Sequence, residues 1–337
     1  MTGSGSGAGA PMIALHGVGK TYADGTVAVH ELDLEVARGE LVCLVGPSGC
    51  GKSTTLKMVN RLIEPTTGSI SIDGRDVTDV DPVALRRGIG YVIQQVGLFP
   101  HQKVLANVMT VPVLEGTPRA EARERARHLL DLVGLDPETH ADRYPHELSG
   151  GQRQRVGVAR ALAASPSVLL MDEPFGAVDP VVRVRLQDEF LRLQEELGTT
   201  TLLVTHDIDE AVRMGDRVAV FAEGGRLAQY GTPAELLGRP ADDFVADFVG
   251  ATTGLRRLAV TPLDPEHLEP IDDLTTGDLG GTVPLGSTLE EAMAAILRDD
   301  TARVGVTDGP RMVGVLTPAG VHRALRASLA RFGAEAS

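Results

Sequence analysis

"GPSGCGKST" (residues 46–54) has the spacing G-x-x-x-x-G-K-S and lies between the apolar run "ELVCLV" and a helical pattern over residues 52–62. In a strand, loop and helix of this kind, backbone N–H groups and the positive end of the helix surround phosphate oxygens. Lys52 then reaches the terminal phosphates, and the Ser53 hydroxyl binds Mg²⁺. The predicted nucleotide-binding residues are Gly46, Pro47, Ser48, Gly49, Cys50, Gly51, Lys52, Ser53 and Thr54.

Further apolar runs alternate with helical stretches along the chain. They are "SVLLMD" (residues 167–172), "TTLLVTH" (200–206) and "RVAVF" (217–221). Such alternation predicts a parallel sheet covered by helices. Between the first and last of these units, "TPRAEARERARHLLDLVG" is rich in helix formers and charges, which predicts a helical insert with one solvated face.

Two carboxylates end the buried strand predicted from "VLLMDEP" (residues 168–174). Asp172 can complete the shell of a bound Mg²⁺, and Glu173 can orient or deprotonate the water that attacks the γ-phosphate. His206 follows the run "LLVT" and is therefore expected at the same edge of the sheet. Ligands bind at this edge in open α/β sheets.

Composition restricts the function and the location of the chain. A net charge of −14 and a pI near 5.1 argue against a protein that coats nucleic acid or an anionic membrane. Two cysteines, one in a predicted buried strand, fit a reducing compartment. The start lacks the pattern of a signal peptide, and no run of about 18 apolar residues occurs. We expect membrane contact through a protein partner.

The predicted domain boundaries follow changes in composition. Residues 1–11 are rich in Gly, Ser and Ala and predict a disordered lead-in. The segment "TPLDPEHLEPIDD" is rich in proline and acidic residues, which predicts a linker over residues 251–282. Beyond it, Ser287 and Glu290 have capping-box spacing and predict a helix start, followed by two short strands and a helix over residues 318–327. These elements predict a small second domain.

Four motifs occur in a distinctive order: "GPSGCGKST", "LSGGQ" (residues 148–152), "LLMDEP" and "VTHD". With this order, residues 12–250 resemble the nucleotide-binding subunit of an ATP-binding cassette (ABC) transporter. The resemblance implies an α/β P-loop NTPase with a mixed sheet core and a helical subdomain over about residues 96–164. ATP and Mg²⁺ are the implied substrate and cofactor.

The resemblance assigns roles to residues at matching positions. Tyr22 matches the aromatic residue that stacks on adenine. Gln94 matches the glutamine that binds the metal ion with Ser53 and Asp172 and reports nucleotide state to the membrane subunits; the adjacent Gln95 leaves the register open. His206 matches the histidine that contacts the γ-phosphate, so the implied catalytic residues are Glu173, His206, Gln94 and Lys52.

Other matched residues are implied to act on a second copy of the chain. In ABC ATPases two cassettes meet head to tail, so that "LSGGQ" of one subunit closes over ATP held by the other. The residues implied to act in trans are Ser149, Gly150, Gly151, Gln152 and Asp179. Asp179 lies in "FGAVDP", where the family more often has leucine at the position of Val178. A homodimer with two equivalent sites is expected.

The sequences of two stretches, "NRLIEPTTG" and "IQQVGLFPH", resemble those of cassettes that drive uptake of glycine betaine, carnitine, choline or proline. The resemblance implies a peripheral ATPase at the cytoplasmic face of the plasma membrane. Its implied partners are permease subunits and, indirectly, an extracytoplasmic substrate-binding protein, with no nucleic acid. Two alternatives remain open: an importer for another small solute such as an amino acid, and a soluble ABC ATPase acting on nucleic acid or ribosomes.

The C-terminal residues 283–330 resemble a single CBS (cystathionine-β-synthase) module, an α+β domain. Family members usually carry two such modules in tandem, with a cleft between them. With one copy, either two subunits pair their single modules or the module no longer binds a ligand. Its role is therefore open between regulation and a dimer-stabilising or degenerate module.

Overall fold

A computed structural model describes residues 10–94, 97–250, 253–271, 279–298, 301 and 303–334. The chain divides between Ala228 and Gln229 into two compact units, each of which is described here by itself. Residues 1–9 of the predicted lead-in lie outside the described residues. Gln95, the alternative to Gln94, also lies outside them.

The first unit contains two sheets. Its strands are β1 (Ile13–Thr21), β2 (Val27–Val36), β3 (Leu41–Val45), β4 (Thr67–Ile72), β5 (Arg75–Asp76), β6 (Ile89–Val92), β7 (Val168–Asp172), β8 (Thr200–Val204) and β9 (Arg217–Ala222). The strand β10 (Arg226–Gly231) contains the boundary between the units. An antiparallel sheet has the order β2-β1-β4-β5, and a six-stranded sheet has the order β10-β9-β3-β8-β7-β6.

The six-stranded sheet places the ends of its central strands together. β3 pairs with β8 and β9, and β7 pairs with β6 and β8, in each case in parallel. Every residue of β3, β7 and β8 is buried, which is why these strands have apolar sequences without alternation. Leu44 and Asp172 both pair with Val204. The loops that follow these three strands therefore start side by side, as predicted.

Helices cover the sheet and form the predicted insert. They are α1 (Lys52–Val59), α2 (Pro82–Arg87), α3 (Val104–Leu114), α4 (Arg119–Leu132), α5 (Pro137–His140), α6 (Gly150–Leu162), α7 (Pro180–Leu197) and α8 (Ile208–Met214). Within the insert, α3, α4 and α6 pack against one another. Val108, Leu130 and Val156 are fully buried among them. The charged face of α4 remains exposed, because its buried residues recur at helical spacing.

The second unit contains short helices, followed by a small sheet with further helices packed on it. Its elements are α9 (Pro233–Gly238), α10 (Asp243–Val249), α11 (Thr253–Val260), β11 (Thr282–Pro284), α12 (Leu289–Ile296), β12 (Val304–Asp308), β13 (Arg311–Leu316) and α13 (Pro318–Ala334). The sheet order is β11-β12-β13, with a parallel and an antiparallel pair. Leu289, Ile296, Val304, Val306 and Leu316 belong to its core.

Two predictions for this unit differ from the structure. The predicted linker contains α11 and a segment that packs into the C-terminal core, because Leu263 is buried and Glu269 bridges to Val315. Proline and acidic residues there mark a short 3₁₀ turn rather than a free connection. The capping box of α12 is formed by Thr288 and Glu291, one residue beyond the predicted pair. This register buries Leu289.

Candidate functional site

The phosphate loop folds as the glycine spacing requires. Gly46, Gly49 and Gly51 have φ angles of 147°, 81° and 97°, in the region that disfavours a side chain. The Lys52 ammonium donates hydrogen bonds to the carbonyl oxygens of Gly46, at 2.7 Å, and of Pro47, at 2.8 Å. Lys52 is buried although it is a lysine, so these carbonyls hold its charge inside the loop. The loop and the N-terminus of α1 thus form a cradle closed on one side by a cation.

Gly51→Ala is expected to destabilise this loop severely. A Cβ atom there would lie 2.2 Å from the backbone oxygen of Ala28, and the φ angle adds strain. We expect a loss of more than about 2 kcal/mol in the free energy of unfolding. The matched control is Gly49→Ala, where φ is 81° and a Cβ atom would meet open space. Its cost is about 1 kcal/mol, from the left-handed conformation alone.

Chemical denaturation of the two variants and the parent without nucleotide measures the difference. Equal losses for the two substitutions would contradict the close approach of Gly51 to the strand that carries Ala28.

Ser53 and Asp172 meet across the start of α1 and the end of β7. The Ser53 hydroxyl donates a hydrogen bond of 2.9 Å to Oδ1 of Asp172. Burial raises the pKa of the Asp172 carboxyl above its usual value, while the hydrogen bond from Ser53 opposes this change. Two hard oxygen ligands at the mouth of a phosphate cradle fit Mg²⁺, which takes few protein ligands and completes its shell with phosphate and water.

Glu173 has a positive φ angle, and its side chain contacts two other predicted site residues. Its φ angle is 49°, and it precedes Pro174, which further restricts it. Its Oε2 accepts a hydrogen bond of 3.0 Å from the side-chain amide of Gln94. Its Oε1 lies 3.4 Å from Nδ1 of His206. The side chain of Glu173 is 25% exposed, so the carboxylate remains reachable by a water molecule. The structure therefore brings together three of the four predicted catalytic residues.

A second layer of polar groups lies behind these residues, and sequence reasoning missed it. The buried side chain of Gln154 on α6 donates a hydrogen bond of 3.0 Å to the backbone oxygen of Glu173. Glu210 on α8 is buried, accepts a hydrogen bond from Gln187, and has a pKa raised by burial. Gln154 lies two residues beyond "LSGGQ", and nothing in its spacing indicates a contact with Glu173.

The segment "LSGGQ" forms the start of α6. The Ser149 hydroxyl accepts a hydrogen bond from the backbone N–H of Gln152, and the Gln152 side chain caps the N–H of Ser149 in return. Ser149 and Gly150 are exposed, and a Cβ atom on Gly150 would meet open space. Within the described part of the chain, the side-chain hydrogen bonds of Ser149 and Gln152 run to each other and to His140, not to the phosphate loop.

Two other predicted site residues are also exposed. The Tyr22 ring is 41% exposed, and the Lys20 ammonium lies 5.6 Å from its centre. Asp179 is exposed at the start of α7, and its carbonyl accepts a hydrogen bond from the Arg183 backbone. Both residues are therefore in contact with solvent.

Among the described residues, no cluster of three or more His, Cys, Asp or Glu side chains is suited to a metal ion. In the same part of the chain, no helix combines the length and the apolar composition that a bilayer crossing requires.

Comparison of the sequence with known families and proteins gives consistent matches. Residues 29–176 match the family described as "ABC transporter". The choline transport ATP-binding protein OpuBA of Bacillus subtilis is 48% identical over 302 residues, which cover 90% of this chain and 77% of that protein. The glycine betaine/carnitine/choline transport ATP-binding protein OpuCA of the same organism is 50% identical, with 84% and 72% covered.

A third relative and a solved structure extend the comparison. The osmoprotectant import ATP-binding protein OsmV of Salmonella typhimurium is 54% identical over 68% of this chain and 60% of its own. The dimeric structure of MJ0796, a bacterial ABC transporter cassette, superposes with a TM-score of 0.62 at 38% identity. The match covers 66% of this chain and 99% of that one.

Proposed function

The chain belongs to the ATP-binding cassette ATPases, and on this premise we propose that it hydrolyses ATP to energise import of a quaternary-ammonium or zwitterionic osmoprotectant. The sequence-based prediction of the family, of the cassette fold and of ATPase activity is confirmed. One observation carries the choice of solute: proteins that are 48% to 54% identical are named for transport of choline, glycine betaine, carnitine or osmoprotectants.

We propose that the phosphate loop holds the triphosphate of ATP. Residues 46–54 supply backbone N–H groups, and Lys52 exchanges the carbonyls of Gly46 and Pro47 for phosphate oxygens. Tyr22 offers an exposed ring on which adenine can stack. Because stacking reads only the π face of the base, it contributes affinity rather than strong base selectivity.

The proposed metal ligands are Ser53, Asp172 and Gln94. Bound Mg²⁺ would neutralise phosphate charge as it develops. Burial raises the pKa of the Asp172 carboxyl, which now accepts the Ser53 hydrogen bond. The charge of a bound cation would offset the cost of burying the carboxylate.

Glu173 is the proposed general base. Its carboxylate is oriented by Gln94 and lies beside His206, so both oxygens are directed before water arrives. His206 is more exposed than Glu173, and its Nδ1 contact leaves the other ring nitrogen available for the γ-phosphate. Prepositioned groups of this kind lower the barrier because little reorganisation is needed in the transition state.

We propose that the exposed start of α6 completes the site of a second copy of the chain. Ser149, Gly150, Gly151 and Gln152 present a helix N-terminus, and Asp179 presents an exposed side of the adjoining loop. An anion bound there would be held by N–H groups that hydrogen-bond nothing within the helix. The dimeric cassette of similar fold supports this assembly.

The remaining parts of the proposal concern partners and domain organisation. Permease subunits and an extracytoplasmic binding protein would supply the pathway and select the solute at the membrane. We propose a cassette over residues 12–250, of which residues 229–250 lie in the second compact unit, at the cytoplasmic face of the membrane. We also propose a CBS-like module over residues 283–330, whose core Leu263 joins. Its three strands and two packed helices support an α+β module in the second unit.

Labelled-solute uptake tests the proposed function. The chain is reconstituted with its permease in liposomes containing ATP, and uptake of labelled betaine is measured with choline, carnitine, proline or an amino acid as competitor. We expect ATP-dependent uptake that quaternary-ammonium competitors suppress, and a higher ATPase rate with solute-loaded binding protein. Uptake suppressed only by an amino acid, or ATPase activity stimulated by DNA or ribosomes instead, would contradict the proposal. A chain carrying Lys52→Ala is the control for leakage.

A further inference from the structure

The backbone of Glu173 needs external support. A residue other than glycine rarely adopts a φ angle of 49°, and such conformations persist only where neighbouring groups enforce them. Pro174 also makes the ordinary helical conformation unfavourable at this position. In this backbone conformation the side chain of Glu173 contacts Gln94 and His206, and a change of the φ angle would move the carboxylate relative to both. Groups that restrain the backbone of Glu173 therefore also position its carboxylate.

Three hydrogen bonds restrain this backbone. The N–H of Glu173 donates to the oxygen of Val204 in β8 at 2.9 Å, which fixes the entry to the turn. The carbonyl accepts from the N–H of Gly176, at 3.3 Å, and from Nε2 of Gln154, at 3.0 Å. The first bond comes from the sheet and the second from the turn itself. The bond from Gln154 reaches the turn from the helical insert.

The buried side chain of Gln154 can leave the Glu173 carbonyl only at a cost in free energy. It is 3% exposed, and a buried amide that lost its partner would be left unsatisfied. It lies on α6, which begins at Gly150 with the capping box of Ser149 and Gln152. Helices move as rigid elements over this length, so a displacement of the start of α6 is passed to the carbonyl of Glu173.

We propose that Gln154 is a positioning residue, which sets the geometry of Glu173 and links the start of α6 to the hydrolytic acid of the same chain. The inference rests on the proposed function, in which the start of α6 contacts nucleotide held by a second copy. Binding at one site would then adjust the acid that serves the other site. The link explains how two sites separated by a subunit boundary can act in concert.

Gln154→Met tests the link, because methionine keeps the length of the side chain and removes the amide donor. In the full chain we expect kcat to fall by about 10-fold to 100-fold, as is usual for a small misplacement of a catalytic group. We expect the affinity for trinitrophenyl-ATP to change by less than about 2-fold, since the phosphate loop is untouched. The thermal midpoint is measured alongside. Val156→Ala is the matched control: it removes buried volume from the same helix, lowers stability and leaves kcat of the folded protein unchanged.

A double-mutant cycle with Glu173→Gln separates positioning from general damage. If Gln154 acts through Glu173, adding Gln154→Met to Glu173→Gln lowers the residual rate no further. An equal additional loss in both backgrounds, or a kcat for Gln154→Met within about 2-fold of the parent, would overturn the inference. Gln154→Asn, which withdraws the amide by one methylene, gives the same test if the methionine variant does not fold.

The failure of this inference can be distinguished from that of the proposed function. Parent-like turnover by Glu173→Gln alone would overturn the role of Glu173 as the base and the link that depends on it, whereas the uptake assay tests the proposed function separately. Loss of turnover in Glu173→Gln together with parent-like turnover in Gln154→Met would overturn only the role of Gln154.

Discussion

Glu173→Gln is expected to lower the rate of ATP hydrolysis by about 10²-fold to 10⁴-fold, the contribution typical of a positioned general base. The amide keeps the shape of the side chain but cannot take a proton from water. Gln94 and His206 would still lie beside it, so the architecture of the site is retained. Nucleotide binding should therefore survive, since none of the contacts of Lys52 involves Glu173.

The same variant should accumulate as an ATP-bound dimer. In our account ATP completes the interface and hydrolysis removes the contact, so a chain that cannot hydrolyse ATP remains closed. Size-exclusion chromatography with and without ATP and Mg²⁺, together with steady-state phosphate release, measures both effects. Glu189→Gln is the control, because this acid on α7 is outside the proposed site and pairs with Arg192. Parent-like phosphate release from Glu173→Gln would show that another group is the base.

Ser149→Arg is expected to abolish hydrolysis nearly completely while leaving ATP bound to the phosphate loop. The hydroxyl of Ser149 caps α6, and its loss alone costs about 1 kcal/mol of stability. The arginine adds bulk at an exposed position that our account places against the nucleotide of the partner. The chain that carries the substitution keeps an intact Lys52, Ser53 and Asp172.

Ser149→Ala is the matched control for Ser149→Arg. It removes the cap without adding bulk, so it should reproduce the loss of stability but only part of the loss of rate. Affinity for trinitrophenyl-ATP, the thermal midpoint and phosphate release are measured for both variants. Weakened nucleotide binding by the isolated Ser149→Arg chain would place Ser149 in the site of its own subunit instead.

The sequence predicted the site best where local backbone geometry determines it. The glycine spacing of residues 46–54 requires a loop that surrounds phosphate, and the buried run of β7 places Asp172 at the sheet edge. Both features follow from local geometry and from the parallel arrangement of strands. The bond between Ser53 and Asp172 joins the loop after β3 to the end of β7, and the motif pattern anticipated the proximity of these residues.

Contacts that depend on the packing of α6 and on the register of short elements were not predictable. The amide of Gln154 on α6 donates to the carbonyl of Glu173, which is 19 residues further along the chain. No local pattern encodes that approach. The prolines over residues 262–270 indicated a linker, yet Leu263 finds a buried place in the second unit. Burial overrides composition when a neighbouring core can accept an apolar side chain.

Mixed dimers test the central claim, that each ATP site is built from two chains, most directly. Differently tagged chains are purified as mixed dimers, and phosphate release is measured. If Lys52→Ala is on one chain and Ser149→Arg on the other, our account predicts activity, because both defects fall in one site and the second site is intact. If one chain carries both substitutions and its partner is unchanged, each site has one defect and no activity is expected. The reverse pattern, with activity only when both substitutions share a chain, would contradict the account.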